Sequence, residues 1–128
     1  MRAIDTNVVV RYLTGDHPEQ SKKAKVLIDG GDVFVATTVL LEAEWVLRSA
    51  YGFAAGAVCN ALRDFAGLSR VTLENPARAA KALDLMEGGM DFADALHLSA
   101  GDGCESFATF DRRLAKASRA SDVQVELL

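Results

Sequence analysis

The chain has 128 residues, half of them hydrophobic and 25% charged, with a formal net charge of −4. That length suits one domain able to bury a core without staples, and the mixture excludes a disordered or fibrous chain. The acidity, taken alone, weighs against a nucleic-acid binder.

Residues 2–5 read as a short strand ending at Asp5. Thr6 and Asn7 follow, then the apolar Val8, Val9, Val10, Tyr12 and Leu13, the pattern of a turn entering a short helix capped by a hydroxyl or amide. The run Val8-Val9-Val10 ends at Arg11, too short for an export signal. Gly15-Asp16-His17-Pro18 is a break, and Pro18 opens a helix to about Asp29, with Ala24, Leu27 and Ile28 on its apolar stripe. Val33-Phe34-Val35-Ala36 reads as a second strand. Thr37 or Thr38 would cap the next helix, which runs to about Ala50 and buries Val39, Ala43, Val46, Leu47 and Ala50.

Gly52 breaks that helix, and another spans roughly 54–66. Residues 70–73 form a third strand; Asn75-Pro76 opens a helix to about Glu87, closed by Gly88-Gly89. Asp91 begins a helix to about Ala100, and Ser106-Phe107-Ala108-Thr109 reads as a fourth strand. Asp111 starts a short basic helix, and Val123-Gln124-Val125 reads as a fifth strand. Cys59 and Cys104 have no metal-type spacing; each lies in a helix-like segment, so both are expected as buried free thiols. No stretch reaches the length of a membrane span. The expectation is a soluble cytoplasmic protein without a membrane partner, folded as one domain over residues 1–128.

Strands alternating with helices imply parallel pairing in an α/β layered domain. In such sheets ligands bind beyond the carboxyl ends of the strands. Asp5 and Asp111 fall at two such ends, and Glu42 and Asp94 in the first turns of helices. A carboxylate at such a place is costly unless paired. Four that converge would make an oxygen-only site for Mg²⁺ or Mn²⁺ rather than zinc. Setting these four aside from the 18 acidic residues leaves 14, equal to the 14 Lys and Arg. The excess charge thus equals the metal site, and bound cations would reverse the field that a phosphate meets there.

Each acid also has a plain structural explanation. Asp5 could be a helix N-cap, although Thr6 could serve instead. Glu42 could close a capping box with Thr38 or Val39. Glu44, two residues on, points nearly the opposite way and has a surface partner in Arg48 at i+4. Asp91 and Asp94 both complement a helix N-terminus. Asp91 reads as mainly a cap, and Asp94, between Ala93 and Ala95, as the ligand. His97 lies one turn further on and could bind metal or simply pack. Asp111 is either another cap or a fourth metal contact, with Thr109 helping through its hydroxyl. Arg112 and Arg113 are natural phosphate neighbours or a solvated surface.

Four segments carry a resemblance: Ala3-Ile4-Asp5-Thr6-Asn7-Val8, Thr38-Val39-Leu40-Leu41-Glu42, Asp91-Phe92-Ala93-Asp94-Ala95-Leu96-His97-Leu98 and Thr109-Phe110-Asp111. In order and spacing they resemble the four acidic motifs of PIN domains, and within that superfamily the VapC-type toxins of bacterial toxin–antitoxin pairs. Glu42-Ala43-Glu44-Trp45-Val46-Leu47-Arg48 and Thr109-Phe110-Asp111-Arg112-Arg113-Leu114 strengthen the toxin-like reading.

The resemblance implies a three-layer α/β/α domain with a central, mainly parallel sheet of four to five strands. It implies Mg²⁺- or Mn²⁺-dependent endoribonuclease chemistry, with Asp5, Glu42, Asp94 and Asp111 as catalytic and metal-binding residues. Thr6, Asn7, Thr109 and Asp91 would orient them, and Arg112 and Arg113 would hold substrate. It further implies a homodimer and a small VapB-like antitoxin that covers the site and alone contacts DNA.

Three other readings compete. An aspartyl phosphatase would want an acid at position 7, where Asn7 stands. A non-catalytic binding module would tolerate Asp94→Asn and need no metal. A DNA-regulatory partner of an antitoxin would keep complex formation without chemistry.

Overall fold

The computed structural model describes residues 1–128, and packing divides them into two compact units, Met1–Pro76 and Ala77–Leu128. In the first unit the elements run β1 (Arg2–Ala3), α1 (Thr6–Thr14), α2 (Pro18–Gly30), β2 (Val33–Val35), α3 (Thr37–Ser49), α4 (Ala55–Ala66) and β3 (Val71–Leu73). The second holds α5 (Pro76–Glu87, beginning at the boundary), α6 (Phe92–Ala100), β4 (Phe107–Thr109), α7 (Arg112–Ala117), a 3₁₀ turn at Ser118–Ala120 and β5 (Val125–Leu127).

The first unit is built on a three-stranded parallel sheet in the order β1-β2-β3. Ala3 pairs with Phe34, and Val35 with Leu73. Parallel neighbours need long crossovers; the pairs α1–α2 and α3–α4 supply them. Val33 and Val35 on the middle strand are wholly buried, as expected where helices cover a parallel sheet. α4 buries Val58, Cys59, Leu62 and Phe65, spaced to fall on one helical face. Tyr12 of α1 packs on Phe65 with ring centroids 5.9 Å apart. Burying Val58, Leu62 or Phe65 contributes roughly 1.5–3 kcal/mol each of transfer free energy.

A polar cluster fastens the α1–α2 turn to the end of α3. Arg11 Nη1 donates to Asp16 and, at 2.7 Å, to the Tyr51 hydroxyl, which in turn donates to Asp16 at 2.7 Å. The Tyr51 and Thr14 hydroxyls, with Arg11 beside them, lower the Asp16 carboxyl to about 2. Gly15 ends α1 with φ +65, a left-handed conformation that glycine adopts without strain, and its N–H closes on Arg11 O.

In the second unit β4 and β5 pair in parallel, Phe107 with Val125 and Thr109 with Leu127. The crossover between them is α7 and the 3₁₀ turn. Every strand pairing is therefore parallel, as expected, within a ladder of three in the first unit and a ladder of two in the second. Gly89, at φ +108, reverses the chain after α5 and delivers Met90-Asp91 to the start of α6.

Most element boundaries fall within two residues of those the sequence implies. Four details differ. The fifth strand begins at Val125, not Val123, because the Val123 N–H is used by the Ser121 hydroxyl at 3.1 Å and the ladder with β4 starts where Phe107 N–H reaches Gln124 O. No threonine caps α3: its N-cap is Ala36, without a side-chain bond, and the Glu74 carboxylate accepts from Thr37 N–H at 2.9 Å instead. α3 is rotated so that Leu40, Ala43, Glu44 and Leu47 are buried, with Val39 and Val46 half-buried and Ala50 exposed. Cys59 is buried as expected, but Cys104 is exposed in the turn between α6 and β4.

Glu44 is the largest departure. It is 1% exposed rather than superficial, and Arg48 grips it with both Nε and Nη2. The i+4 partner was legible in the sequence; the burial follows from the rotation of α3.

Candidate functional site

The clearest site geometry lies within the second unit. Asp91 is the N-cap of α6, and its Oδ2 accepts from Asp94 N–H at 3.2 Å. An aspartate there both satisfies a free helix N–H and faces the positive end of the helix dipole. Capping sets Asp94 in the first turn, half-buried. Burial raises the Asp94 pKa, the negative charges of Asp91 and Asp111 raise it further, and His97 works against them. This is the behaviour of a half-buried carboxyl with like charges beside it. His97 itself is exposed on the same helix.

Asp111 is held from both sides. Its N–H donates to the Thr109 hydroxyl at 3.0 Å. Its Oδ1 accepts from Arg113 N–H at 2.9 Å and Leu114 N–H at 3.1 Å, capping α7. Capping and a site role are therefore compatible: one carboxylate oxygen fixes the side chain and the second oxygen makes no bond within the cap. Asp91, Asp94 and Asp111 line one hollow of about 680 Å³, with Arg113 and Lys116 on its wall. Arg112 is exposed and stands outside that lining. Lys116 was not singled out from the sequence. Its signal was the i, i+3 spacing from Arg113, which puts both cations on one face of a short helix.

Asp5 and Glu42 belong to the first unit. Asp5 is exposed at the carboxyl end of β1 and caps α1, its Oδ1 accepting from Thr6 N–H at 2.7 Å. Thr6 is buried and Asn7 exposed. Glu42 is exposed on α3 and forms no capping box. Glu74, directly after β3, is a further acid at the strand ends of this sheet, there as the cap of α3. Its position after a three-residue strand was the only sequence signal for it.

No three His, Cys, Asp or Glu side chains are gathered tightly enough to cage a metal ion. The donor chemistry nevertheless suits a hard divalent cation. The side-chain oxygens lining the hollow are the carboxylates of Asp91, Asp94 and Asp111, and Asp94 takes up protons more readily than a free aspartate because it is half-buried, with Asp91 and Asp111 adding to the effect. No helix is long and apolar enough to cross a membrane.

Neither a curated protein nor a solved structure matches the chain. A family model does: that of the PIN domain, over residues 3–120, which covers most of both compact units. PIN domains are generally nucleases, often toxins, and typically use divalent metals. The seven helices and exclusively parallel strands accord with their three-layer α/β/α fold. With nearly its whole length matched and the acidic positions in order, the chain belongs to the PIN domain family.

Proposed function

We propose that this protein is a Mg²⁺- or Mn²⁺-dependent endoribonuclease, acting as the toxin of a type II toxin–antitoxin pair. The observation that supports the chemistry is the crowding of Asp91, Asp94 and Asp111 around one hollow, with Arg113 and Lys116 on its wall. A perturbed carboxylate such as Asp94 in a concave site is characteristic of a functional group. Asp94 and Asp111 would hold the cation. When bound, it supplies Lewis-acid charge to the phosphoryl oxygens and favours attack by water.

The chain's own residues do the rest. Asp91 fixes Asp94 through its backbone N–H, and the Thr109 hydroxyl and α7 N–H groups fix Asp111. Arg113 and Lys116 draw the RNA phosphates toward the carboxylates, giving an affinity that falls with added salt. Asp5 and Glu42 keep the acidic roles that the family resemblance gives them, and Asp5→Asn or Glu42→Gln should each lower metal-dependent cleavage. The wider reading is of one nuclease domain working in the cytoplasm as a homodimer. It is silenced by a VapB-like antitoxin, through which alone it contacts DNA.

The test is cleavage of total RNA and of a transfer RNA pool by purified protein, with Mg²⁺ or Mn²⁺ and with EDTA, beside Asp94→Asn of matched folding. Cleavage should require metal, and the substitution should reduce it by about 100-fold or more. RNA left intact under every condition would defeat the enzymatic reading. Co-purification of active protein with a small DNA-binding partner that abolishes cleavage would support the toxin assignment.

A further inference from the structure

Phe110 is the most exposed large hydrophobic residue of the chain, with 80% of its surface in solvent. It stands between Thr109 and Asp111, so its Cα lies about 3.8 Å from that of a carboxylate residue lining the acidic hollow. The backbone around it is pinned. Leu128 N–H donates to Thr109 O at 2.8 Å, Asp111 N–H donates to the Thr109 hydroxyl, and the Asp111 carboxylate caps α7. The aromatic ring is therefore carried on a fixed turn, not on a loose tail. Arg112 and Arg113, both exposed, follow directly.

We propose that Phe110 is a stacking platform for an unpaired nucleobase of single-stranded RNA, beside the phosphate addressed by Asp94 and Asp111. This rests on the nuclease reading and deepens it, by assigning the residue that holds a base beside the scissile phosphate. The argument is one of chemistry and place. An aromatic face flanked by cations binds a nucleotide through stacking and phosphate contact together. Duplex RNA keeps its base faces inside the stack and offers none to such a ring. Leu127 and Leu128 are also exposed and near the same strand end, so the competing occupant is a second copy of this chain. The charges decide between them: a protein face laid over Phe110 would strip water from the exposed Asp111, Arg112 and Arg113. A base beside its phosphate leaves Arg112 and Arg113 with an ionic partner and leaves Asp111 open to solvent and cations. Because stacking tolerates every base, the platform would select for strandedness rather than for sequence.

The experiment uses full-length protein in an Asp94→Asn background, so that RNA stays whole. Binding of a fluorescein-labelled single-stranded hexaribonucleotide is compared with binding of a blunt RNA duplex. Phe110→Ala should weaken the single-stranded complex by about 5- to 150-fold, Phe110→Trp should retain it, and duplex binding should change little. Phe110→Leu keeps apolar area without a π face and should behave like the alanine variant. At 80% exposure these changes leave folding intact, which circular dichroism checks. Single-strand affinity equal to the parent's in Phe110→Ala overturns the proposal. So does a loss shared equally by the duplex, or a Phe110→Ala change in sedimenting mass without change in RNA binding, which would assign the ring to a copy–copy contact. Metal-dependent cleavage by the parent with no effect of Phe110→Ala removes the platform alone. Phe110-dependent binding without cleavage removes the nuclease reading alone.

Discussion

At the residue scale Asp94 ties structure to chemistry. Its pKa is raised by burial and then by Asp91 and Asp111, so the folded state holds its proton to higher pH than the unfolded chain does. A carboxyl of this kind costs stability above its folded pKa and costs nothing below the unfolded value. Metal-free Asp94→Asn should therefore melt higher than the parent at pH 7. The difference should close as pH falls through the carboxylate range. Thermal melts of both proteins from pH 7 downward check this; a parent that is the more stable at pH 7 would show that Asp94 is stabilised by a partner rather than strained by burial and like charges. On the proposed nuclease reading the activity of the same variant should move the opposite way, the usual conflict between a stable site and a working one. Asp111 shows why sequence alone left its role open. The residue types that cap a helix are the ones that ligate a metal, and only the bonds show that capping occupies one of its two oxygens.

At the element scale α3 is the instructive case. Its sequence carries two acids, Glu42 and Glu44, on different faces, and the choice between them depends on how the helix rolls against its neighbours. The structure turns Glu44 inward to 1% exposure, clamped by Arg48, and leaves Glu42 outside. Removing one member of a buried ion pair leaves an uncompensated charge, at a cost of about 3–5 kcal/mol when the pair is wholly dry. Arg48 is 32% exposed, which lowers that figure to roughly 2–3 kcal/mol. Arg48→Leu should lose about that much in chemical denaturation, and Glu44→Leu combined with Arg48→Leu should regain most of it. A single variant as stable as the parent would mean that Glu44 finds water or another donor. Helix and strand spans were legible because Gly15, Pro18, Gly52, Pro76 and Gly88-Gly89 punctuate clear apolar periods. The start of β5 was not, since it follows from pairing with β4, a contact remote in sequence.

At the scale of the whole chain the central expectation is metal linkage. An ion that binds the folded protein and not the unfolded chain stabilises it by mass action, by about 2.7 kcal/mol at one hundred times its dissociation constant. Mg²⁺ or Mn²⁺ should raise the melting temperature of the parent in a saturable way, and EDTA should reverse it. The shift should be much smaller in Asp94→Asn and Asp111→Asn. A parent that melts identically with and without metal would remove the ion from the site.

The amino-acid sequence by itself determined the α/β class, the order of twelve helices and strands to within a few residues, and the four acidic positions that carry the family resemblance. These depend on local periodicity, on glycine and proline, and on spacing, all of which are written along the chain. Only the tertiary structure decided that Asp91, Asp94 and Asp111 share one hollow with Arg113 and Lys116, that Glu74 rather than a threonine caps α3, that Glu44 is buried, and that Phe110 stands in solvent. Those outcomes depend on how helices rotate and on which distant strands pair. Burial and electrostatic crowding come from neighbours brought together by folding, and no local pattern encodes them.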